Sequence, residues 1–261
     1  MNDSLNKAVM PSAIEILGVT LDPLSISQLN DAIAAAVALN QKWIVAHQNL
    51  HGIYVYHHES KVRDFYSKAK YIHVDGMALI LLGKLLGYPL DREQRVTYVD
   101  WIDSLMRAAV KSGWRIFYLG SKPGVAELGI KILQSKFAGL QIVAADGYFN
   151  SHPDSVENRE ILDRIDRYQP HILMVGMGMP RQENWILDNL DQISTNAILP
   201  CGAAIDYVAG AIPTPPRWMG KIGLEWLFRL VTEPKRLWRR YLVEPWFLIG
   251  LLLTDVWNRL R

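Results

Sequence analysis

Short apolar runs alternate with longer amphipathic segments along most of the chain. The runs at 43–46, 115–119 and 171–175 are apolar nearly throughout, which is typical of strands buried on both faces. The segment at 26–39 instead carries apolar residues at helical spacing, and Ser25 can cap the helix that this spacing predicts. The alternation predicts an α/β fold with a Rossmann-like, mostly parallel sheet that helices cover on both faces.

The same patterns predict the remaining elements. Further strands are expected at 14–21, 71–74, 141–145 and 197–199. Further helices are expected at 60–70, 77–86 and 98–112. Three more are expected: one that follows the loop at 120–124 and ends at 137, one that runs from a cap at Asp154 or Ser155 to 168, and one that begins at 181. The charged segment at 91–95 is predicted as a mobile loop, and the histidines that follow Asn49 are also placed near a loop.

A glycine turn joins the predicted strand at 171–175 to the helix that follows it. The stretch at 175–184 reads Val-Gly-Met-Gly-Met-Pro-Arg-Gln-Glu-Asn. Glycines allow a backbone to approach a ligand closely, and helix N-termini attract anions. Arg181 and Gln182 would lie at the carboxyl end of a strand, where α/β proteins place their sites. A tight turn with a solvated first helical turn is the alternative, because Gly-x-Gly alone is a weak signal.

Polar residues recur where other predicted strands end. They are His47, Asn49, Asp75 and Tyr148, with Asp206 after a later glycine turn. In a doubly wound sheet these ends converge on one crevice, where a carboxylate such as Asp75 can serve as a general base. Each residue also has a structural alternative: Asp75 could cap its helix, Asn49 and Asp206 could form turns, and His47 could be a satisfied structural histidine.

Composition narrows the possible functions. The 261 residues suit one α/β domain of about 200 residues with an appendage. The overall net charge of +2 does not favour binding of nucleic acid. A single cysteine cannot form an internal disulfide. No signal peptide is recognisable, and the apolar run at 246–253 is shorter than the roughly 20 residues that span a bilayer. A cytoplasmic protein, attached peripherally to a membrane, is therefore expected.

The C-terminal segment differs from the rest of the chain. A proline-rich stretch at 213–216 divides the sequence into a predicted catalytic domain, 1–212, and a predicted helical appendage, 213–261. In the appendage, aromatic side chains alternate with arginine and lysine, which suits an anionic bilayer surface. A helical hairpin that docks onto its own core or onto a neighbouring subunit is the alternative. The arginines could also bind a diphosphate.

Two common nucleotide-dependent classes are disfavoured. The sequence Gly-Ser-Lys-Pro-Gly at 120–124 lacks the Gly-Lys-Ser/Thr ending of a phosphate-binding loop, so ATP hydrolysis is not expected. A dehydrogenase is also disfavoured, because no Gly-x-Gly-x-x-Gly follows the first predicted strand. No cluster of cysteine and histidine has the spacing of a metal site, so neither a metal nor another cofactor is expected.

Four segments together resemble one enzyme family. They are Val-Asp-Gly-Met at 74–77, Gly-Met-Gly-Met-Pro-Arg-Gln-Glu at 176–183, Cys-Gly-Ala-Ala-Ile-Asp-Tyr-Val-Ala-Gly at 201–210, and Leu-Glu-Trp-Leu-Phe-Arg-Leu at 224–230 with Glu-Pro at 233–234. The chain thus resembles the bacterial glycosyltransferases of the WecG/TagA/CpsF type (glycosyltransferase family 26), which includes N-acetylmannosaminyl, N-acetylmannosaminuronosyl and glucosyl transferases.

The resemblance implies an activity in surface polysaccharide biosynthesis. A sugar would pass from a UDP-sugar to a sugar held on undecaprenyl diphosphate, with inversion at the anomeric carbon and without a metal. The enzyme would work at the inner face of the cytoplasmic membrane, and self-association into a homo-oligomer would be worth testing. The alternatives are a non-catalytic UDP-sugar-binding subunit of a membrane assembly and an NAD-dependent oxidoreductase.

The resemblance also implies roles for individual residues. Asp75 resembles the general base, and Asn49 and Gln182 resemble the residues that position the donor sugar. The other contacts that the resemblance implies are Tyr148 and Asp206 at the uridine, Arg95 at the diphosphate or sugar, and Arg229, Arg236 and Arg239 at the UDP leaving group. His47 and Arg181 are also expected to contact a substrate, because they stand at the carboxyl ends of predicted strands.

Three positions depart from the family pattern. His47 stands where many relatives have threonine, and Tyr98 stands where they have glycine. Both are expected near the donor pocket, so the donor hexose stays open between glucose, N-acetylmannosamine and its uronic acid. The third departure is Pro-Thr-Pro-Pro-Arg at 213–217, where Arg-Ala-Pro is usual, and it leaves the contacts of the appendage open.

Overall fold

The computed structural model describes residues 10–259, with the backbone alone at 217, 221, 222, 258 and 259. Strands form two sheets in this range. A small antiparallel sheet pairs β1 (Ile14–Ile16) with β2 (Val19–Leu21). The main sheet contains β3 (Trp43–Gln48), β4 (Ala69–Val74), β5 (Arg115–Gly120), β6 (Gln141–Ala145), β7 (Ile172–Gly176) and β8 (Ala197–Pro200). Its strands are parallel, in the order β4-β3-β8-β7-β5-β6.

Helices connect and cover these strands. Those of the first 208 residues are α1 (Ile26–Ala38), α2 (Leu50–His58), α3 (Ser60–Lys68), α4 (Met77–Leu85), α5 (Tyr98–Ser112), α6 (Val125–Lys136), α7 (Val156–Tyr168), α8 (Arg181–Asn189) and α9 (Ala204–Val208). Four more follow: α10 (Arg217–Ile222), α11 (Glu225–Thr232), α12 (Pro234–Leu242) and α13 (Glu244–Arg259). A short 3-10 helix at Arg92–Gln94 replaces part of the predicted loop at 91–95.

Two apolar clusters, one on each face of the main sheet, explain the uninterrupted apolar strands. Along β3, Ile44 and Ala46 belong to one cluster, whereas Val45 between them belongs to the other. Helices α2, α3, α7 and α8 bury residues in the first cluster, and α1, α5, α6 and α9 bury residues in the second. The predicted doubly covered parallel sheet is therefore confirmed.

The first predicted strand is wrong in form. Residues 14–21 are two short strands rather than one, because Leu17 and Gly18 adopt positive φ angles of 53° and 74° and turn the chain back on itself. A two-residue turn of this kind matches the twist of antiparallel strands. The alternation of strands with one or more helices consequently begins only at α1. The hairpin buries Ile16 and Leu21 against one face of the main sheet.

The segment after Asn49 is helical rather than a loop. Asn49 caps α2, with its Oδ1 accepting the backbone N–H of Gly52 at 3.0 Å. His51 and His57 lie on this helix, and they serve as anchors: His57 Nε2 lies 2.8 Å from the carbonyl oxygen of Leu17. The helix was missed because its apolar side chains do not follow one clear stripe.

A side chain protects the free edge of the main sheet at β4. Asp22, just after β2, donates its backbone N–H to the carbonyl of Ile72 at 2.7 Å. Its carboxylate Oδ2 accepts the N–H of Ile72, also at 2.7 Å. Further along the same strand, Val96 N–H bonds to the carbonyl of Val74 at 2.9 Å. Polar groups of the edge strand are thus bonded within the chain.

The C-terminal helices, α10–α13, pack on the α/β core. Leu237 of α12 is buried, and Leu248 of α13 joins the same apolar cluster as α2 and α3. Large apolar side chains on these helices nevertheless remain exposed, among them Trp218, Trp226, Trp238, Trp246 and Trp257. In residues 10–259, no helix is both long enough and apolar enough to cross a membrane. The division of the chain at 212/213 and the membrane contact stay predictions.

Candidate active site

A cavity of about 1420 Å³ lies at the carboxyl ends of the main strands. One side, here called the sheet wall, consists of residues that follow β3, β4, β5, β6, β7 and β8. The C-terminal helices form the opposite side with residues of α11, α12 and α13. Ten of the predicted site residues line this cavity: His47, Asn49, Asp75, Tyr148, Arg181, Gln182, Asp206, Arg229, Arg236 and Arg239. Arg95 is the predicted residue that does not.

Asp75 leaves β4 at the centre of the sheet wall. Its backbone N–H bonds to the carbonyl of Gln48 at 2.8 Å, which keeps it in line with the sheet. Gly76 has a φ of 104°, a conformation that favours glycine, and there the chain turns into α4. Gly76 is the N-cap of α4, and no side chain caps that helix. The carboxylate of Asp75 therefore does not serve as the cap of α4.

Asn49 connects Asp75 to the C-terminal helices. Its Nδ2 donates to Asp75 Oδ2 at 3.1 Å. Its Oδ1 accepts the capping bond from Gly52 and a second bond, of 3.2 Å, from Arg240 Nη2. The turn-forming and functional interpretations of Asn49 are thus compatible, because one amide caps α2 and contacts the carboxylate. Arg240 was missed in the sequence, where its neighbour Arg239 was selected instead.

His47 is buried beside Asp75. Its Nδ1 donates to the carbonyl of Pro200 at 3.1 Å, and its Nε2 lies 3.9 Å from Asp75 Oδ2. Burial lowers the pKa of His47, although the negative charge of Asp75 and the bond to Pro200 oppose this shift. The ring of Tyr98 meets the His47 ring edge-on, with 5.9 Å between centroids. The two departures noted at positions 47 and 98 therefore contact each other.

Gln182 joins two glycine turns of the sheet wall. Its Oε1 accepts the backbone N–H of Gly178 at 3.2 Å and that of Gly202 at 3.1 Å. Its Nε2 donates to Glu183 Oε1 at 2.8 Å. Burial raises the pKa of Glu183 to about 7, against the opposing effect of the bond from Gln182. With these bonds formed, Gln182 shapes the wall on which a ligand would rest.

Tyr148 and Asp206 lie in another part of the cavity lining, with Ser121 and Lys122. Burial raises the pKa of Asp206, whereas a hydrogen bond with Ser121 and the positive charges of Arg236 and Lys122 lower it. Ser121 has a φ of 58°, which is uncommon for a residue other than glycine and is often found at functional sites. Sequence reasoning missed Ser121 and Lys122, although the glycine-bounded loop at 120–124 marked their position.

Tyr148 lines the cavity with 63% of the residue exposed. Arg181 holds the segment after Tyr148 by donating from Nη2 to the carbonyl of Phe149 at 2.9 Å. Its guanidinium also lies 5.9 Å from the centre of the Phe149 ring. Arg181 thus braces the loop after β6.

Arg95 binds protein carboxylates rather than lining the cavity. Its Nη1 donates to Asp100 at 3.1 Å, and its Nη2 donates to the two carboxylate oxygens of Glu225 at 2.8 and 2.7 Å. The side chain is almost fully buried. In this structure Arg95 fixes the start of α11 against the core, and its predicted contact with a substrate stays a prediction.

Four arginines of the C-terminal helices give that side of the cavity a positive charge: Arg229, Arg236, Arg239 and Arg240. Arg236 pairs with Glu233 through two bonds of 2.7 Å, and it is exposed, as is Arg239. Arg229 is half-buried, and its Nε is buried without a hydrogen-bond partner among the residues that the structure describes. Guanidinium groups of this kind suit phosphate oxygens. Three glutamates of the same segment, Glu225, Glu233 and Glu244, also line the cavity, so the Asp75 carboxylate faces a side with a small excess of arginines.

Comparison with known proteins agrees with this arrangement. Residues 14–261 match the model of the "Glycosyl transferase WecG/TagA/CpsF family". Two curated relatives, from Staphylococcus aureus strains MRSA252 and NCTC 8325 / PS 47, are each 26% identical over 229 residues, which cover 87% of this chain and 87% of the relative. Both carry the name N-acetylglucosaminyldiphosphoundecaprenol N-acetyl-beta-D-mannosaminyltransferase.

Proposed function

Because the chain belongs to the WecG/TagA/CpsF family of glycosyltransferases, we propose that it moves a hexose from a UDP-sugar to a sugar linked to undecaprenyl diphosphate. The observation that carries the proposal is the Asp75 carboxylate, held by Asn49 in a cavity that four arginines also line. A base and a group of cations are the two parts that such a transfer requires without a metal. The product would be a lipid-linked intermediate of a surface polysaccharide.

Asp75 is the general base of the proposed reaction. The acceptor hydroxyl gives its proton to Asp75 as its oxygen attacks the anomeric carbon of the donor. The bond between that carbon and the β-phosphate oxygen breaks, and its electron pair leaves with UDP. Attack from the face opposite the leaving group inverts the anomeric configuration. Asn49 holds one oxygen of the carboxylate, so its second oxygen can receive the proton.

The C-terminal arginines act on the leaving group. Negative charge grows on the diphosphate as the glycosidic bond breaks, and fixed cations stabilise that charge most where water is excluded. Arg229 is suited to this task, since its buried Nε has no hydrogen-bond partner in the described structure. Arg236 and Arg239 supply two further guanidinium groups at the cavity.

Tyr148 and Asp206 are proposed to hold the uridine. An exposed aromatic ring can stack on a pyrimidine, and a carboxylate can accept hydrogen bonds from ribose hydroxyls. Both residues line the cavity with Ser121. The donor sugar would then lie toward Asp75, where the His47–Tyr98 pair forms part of the lining. We propose that this pair helps to select the hexose among glucose, N-acetylmannosamine and its uronic acid.

Because the proposed acceptor is a lipid, the reaction would take place at a membrane surface. Exposed tryptophans on α11, α12 and α13 suit the bilayer interface, and the arginines beside them suit anionic head groups. We therefore propose peripheral attachment to the inner face of the cytoplasmic membrane through the C-terminal helices. Self-association remains a prediction.

A transfer assay tests the proposal. The purified protein is incubated with a polyprenyl-diphosphate-linked N-acetylglucosamine as acceptor and with one of three donors: UDP-glucose, UDP-N-acetylmannosamine or UDP-N-acetylmannosaminuronic acid. The mass of the lipid product is then measured by mass spectrometry. We expect one of the donors to add one sugar. UDP binding without transfer from any donor would favour a non-catalytic subunit, whereas binding of NAD instead of UDP would favour an oxidoreductase.

A further inference from the structure

Arg240 differs from the other arginines at the cavity in what it contacts. Arg236 is exposed and paired with Glu233, and Arg239 is exposed on the same helix. Arg240 is half-buried, and its Nη2 donates to the neutral amide oxygen of Asn49 at 3.2 Å. Arg240 is thus bonded to a neutral amide within the site, whereas Arg236 is bonded to a carboxylate of its own segment.

The bond from Arg240 acts together with the bond from Gly52 to set which end of the Asn49 amide faces Asp75. Asn49 Oδ1 already accepts the N–H of Gly52, and Arg240 occupies its second lone pair. Only Nδ2 can then point to Asp75, to which it donates at 3.1 Å. Reversing the amide would direct its NH₂ group at two donors and its oxygen at a carboxylate. The charge-assisted bond therefore holds the amide in its working orientation.

Two contacts fix the C-terminal helices at the start of α2. Arg240 reaches the capping residue, Asn49, and Glu244 Oε2 lies 2.7 Å from Nδ1 of His51, one residue into the helix. Between the arginine and the glutamate, α12 ends and α13 begins. Leu237, one turn before Arg240, is buried and sets the rotation of α12. The position of Arg240 therefore follows from packing rather than from a bound ligand.

We propose that Arg240 is a positioning residue for the proton transfer: it orients Asn49, and Asn49 orients the carboxylate of Asp75. The inference rests on the proposed function, because it assigns a role within that reaction. It differs from the role of Arg229, Arg236 and Arg239, since Arg240 acts through a neutral amide rather than on the diphosphate. The site is consequently complete only when α12 is docked.

A double-mutant cycle tests this role. Arg240→Ala should lower kcat by about 10-fold or more, as expected for the loss of a hydrogen bond to a charged group, and should leave KM for both substrates within about 2-fold. In an Asn49→Ala background the same substitution should have almost no further effect. Arg240→Lys should recover part of kcat. Arg159→Ala removes an exposed arginine of α7 away from the cavity and is the control.

Two results together would overturn the proposal in favour of direct contact with the diphosphate. Arg240→Ala would raise KM for the donor, and the losses of kcat caused by Arg240→Ala and Asn49→Ala would multiply in the double variant. A measurement without substrates separates this outcome from failure of the proposed function. In protein labelled with ¹⁵N-asparagine, the Nδ2 signal of Asn49, assigned by its loss in Asn49→Asp, should shift in Arg240→Ala and stay unchanged in Arg159→Ala. An unchanged signal in Arg240→Ala would contradict the orienting role, whatever reaction the protein catalyses.

Discussion

The two sides of the cavity are built in different ways. On the sheet wall, Asp75, Asn49 and Gln182 are held by hydrogen bonds and by strands that are buried on both faces. On the C-terminal helices, most large side chains are exposed, and Leu237 and Leu248 are the fully buried apolar contacts that the structure describes there. One side thus holds the proposed base through hydrogen bonds and buried strands, whereas the other carries the arginines and depends on a few contacts for its position.

This difference suggests a division of labour. A general base must be held accurately, because misplacement of a reacting group by about 1 Å can cost 100-fold in rate. Cations that stabilise a diphosphate act over longer distances and tolerate less exact positions. An enzyme whose acceptor is a membrane lipid can accordingly keep its base in the core and carry its cations on helices that meet the membrane.

Removal of α12 and α13 should have the largest effect. A chain ending at Val231 lacks Arg236, Arg239 and Arg240, and we expect its transfer to lipid diphosphate to fall below detection. Loss of buried Leu237 and Leu248 would also destabilise the core, so folding must be checked by thermal unfolding. Arg236→Gln/Arg239→Gln, which keeps the helices, should lose much of the same activity. Full activity of the shortened chain would refute the division of labour.

Replacement of the proposed base should have the next largest effect. Asp75→Asn removes the proton acceptor but keeps the shape of the side chain, so turnover should fall by about 10²–10⁴-fold. Its melting temperature and its affinity for UDP should stay close to those of the unaltered protein. Turnover within a few-fold of the original would mean that another group takes the proton.

Loss of the Gln182 amide should weaken the sheet wall. Gln182→Ala leaves the N–H groups of Gly178 and Gly202 without their acceptor, and an unsatisfied buried group costs about 1–3 kcal/mol. Urea unfolding should therefore report a lower free energy of unfolding. Gln192→Ala, at an exposed position just after α8, is the matched control and should change it by less than about 0.5 kcal/mol.

The smallest expected effect concerns the membrane. Trp238→Ala/Trp246→Ala removes two exposed aromatic rings from α12 and α13, and binding to vesicles that contain anionic lipid should weaken roughly 10-fold. Leu128→Ala/Val156→Ala removes exposed apolar side chains from the α/β core and should leave vesicle binding unchanged. If both double substitutions weakened vesicle binding equally, the exposure of apolar side chains alone, and not their position on the C-terminal helices, would determine the binding.

The sheet could be predicted from the sequence because its strands are apolar on both faces, and β6 and α5 have the predicted bounds. The hairpin at 14–21 was missed because a turn of only two residues, Leu17 and Gly18, separates its strands. Convergence of Asn49, Asp75 and Gln182 also followed from the sequence, since the carboxyl ends of parallel strands share one edge.

Contacts between distant segments could not be predicted in the same way. The pairing of Arg95 with Glu225 joins residues that are 130 positions apart, and no periodicity relates them. The choice between Arg239 and Arg240 depends on the rotation of α12, which is known only once Leu237 is seen to be buried. Local pattern thus gives the elements and the edge of the sheet, whereas packing decides which side chain of a helix reaches the site.

The bonds that Asp22 makes to β4 have a consequence for the behaviour of the protein at high concentration. An open edge strand is a template on which another copy can add, and this is a common route to fibrous aggregates. Asp22 occupies both the donor and the acceptor of Ile72, so a second chain finds no partner there. Addition of a second chain is therefore blocked at this position of β4.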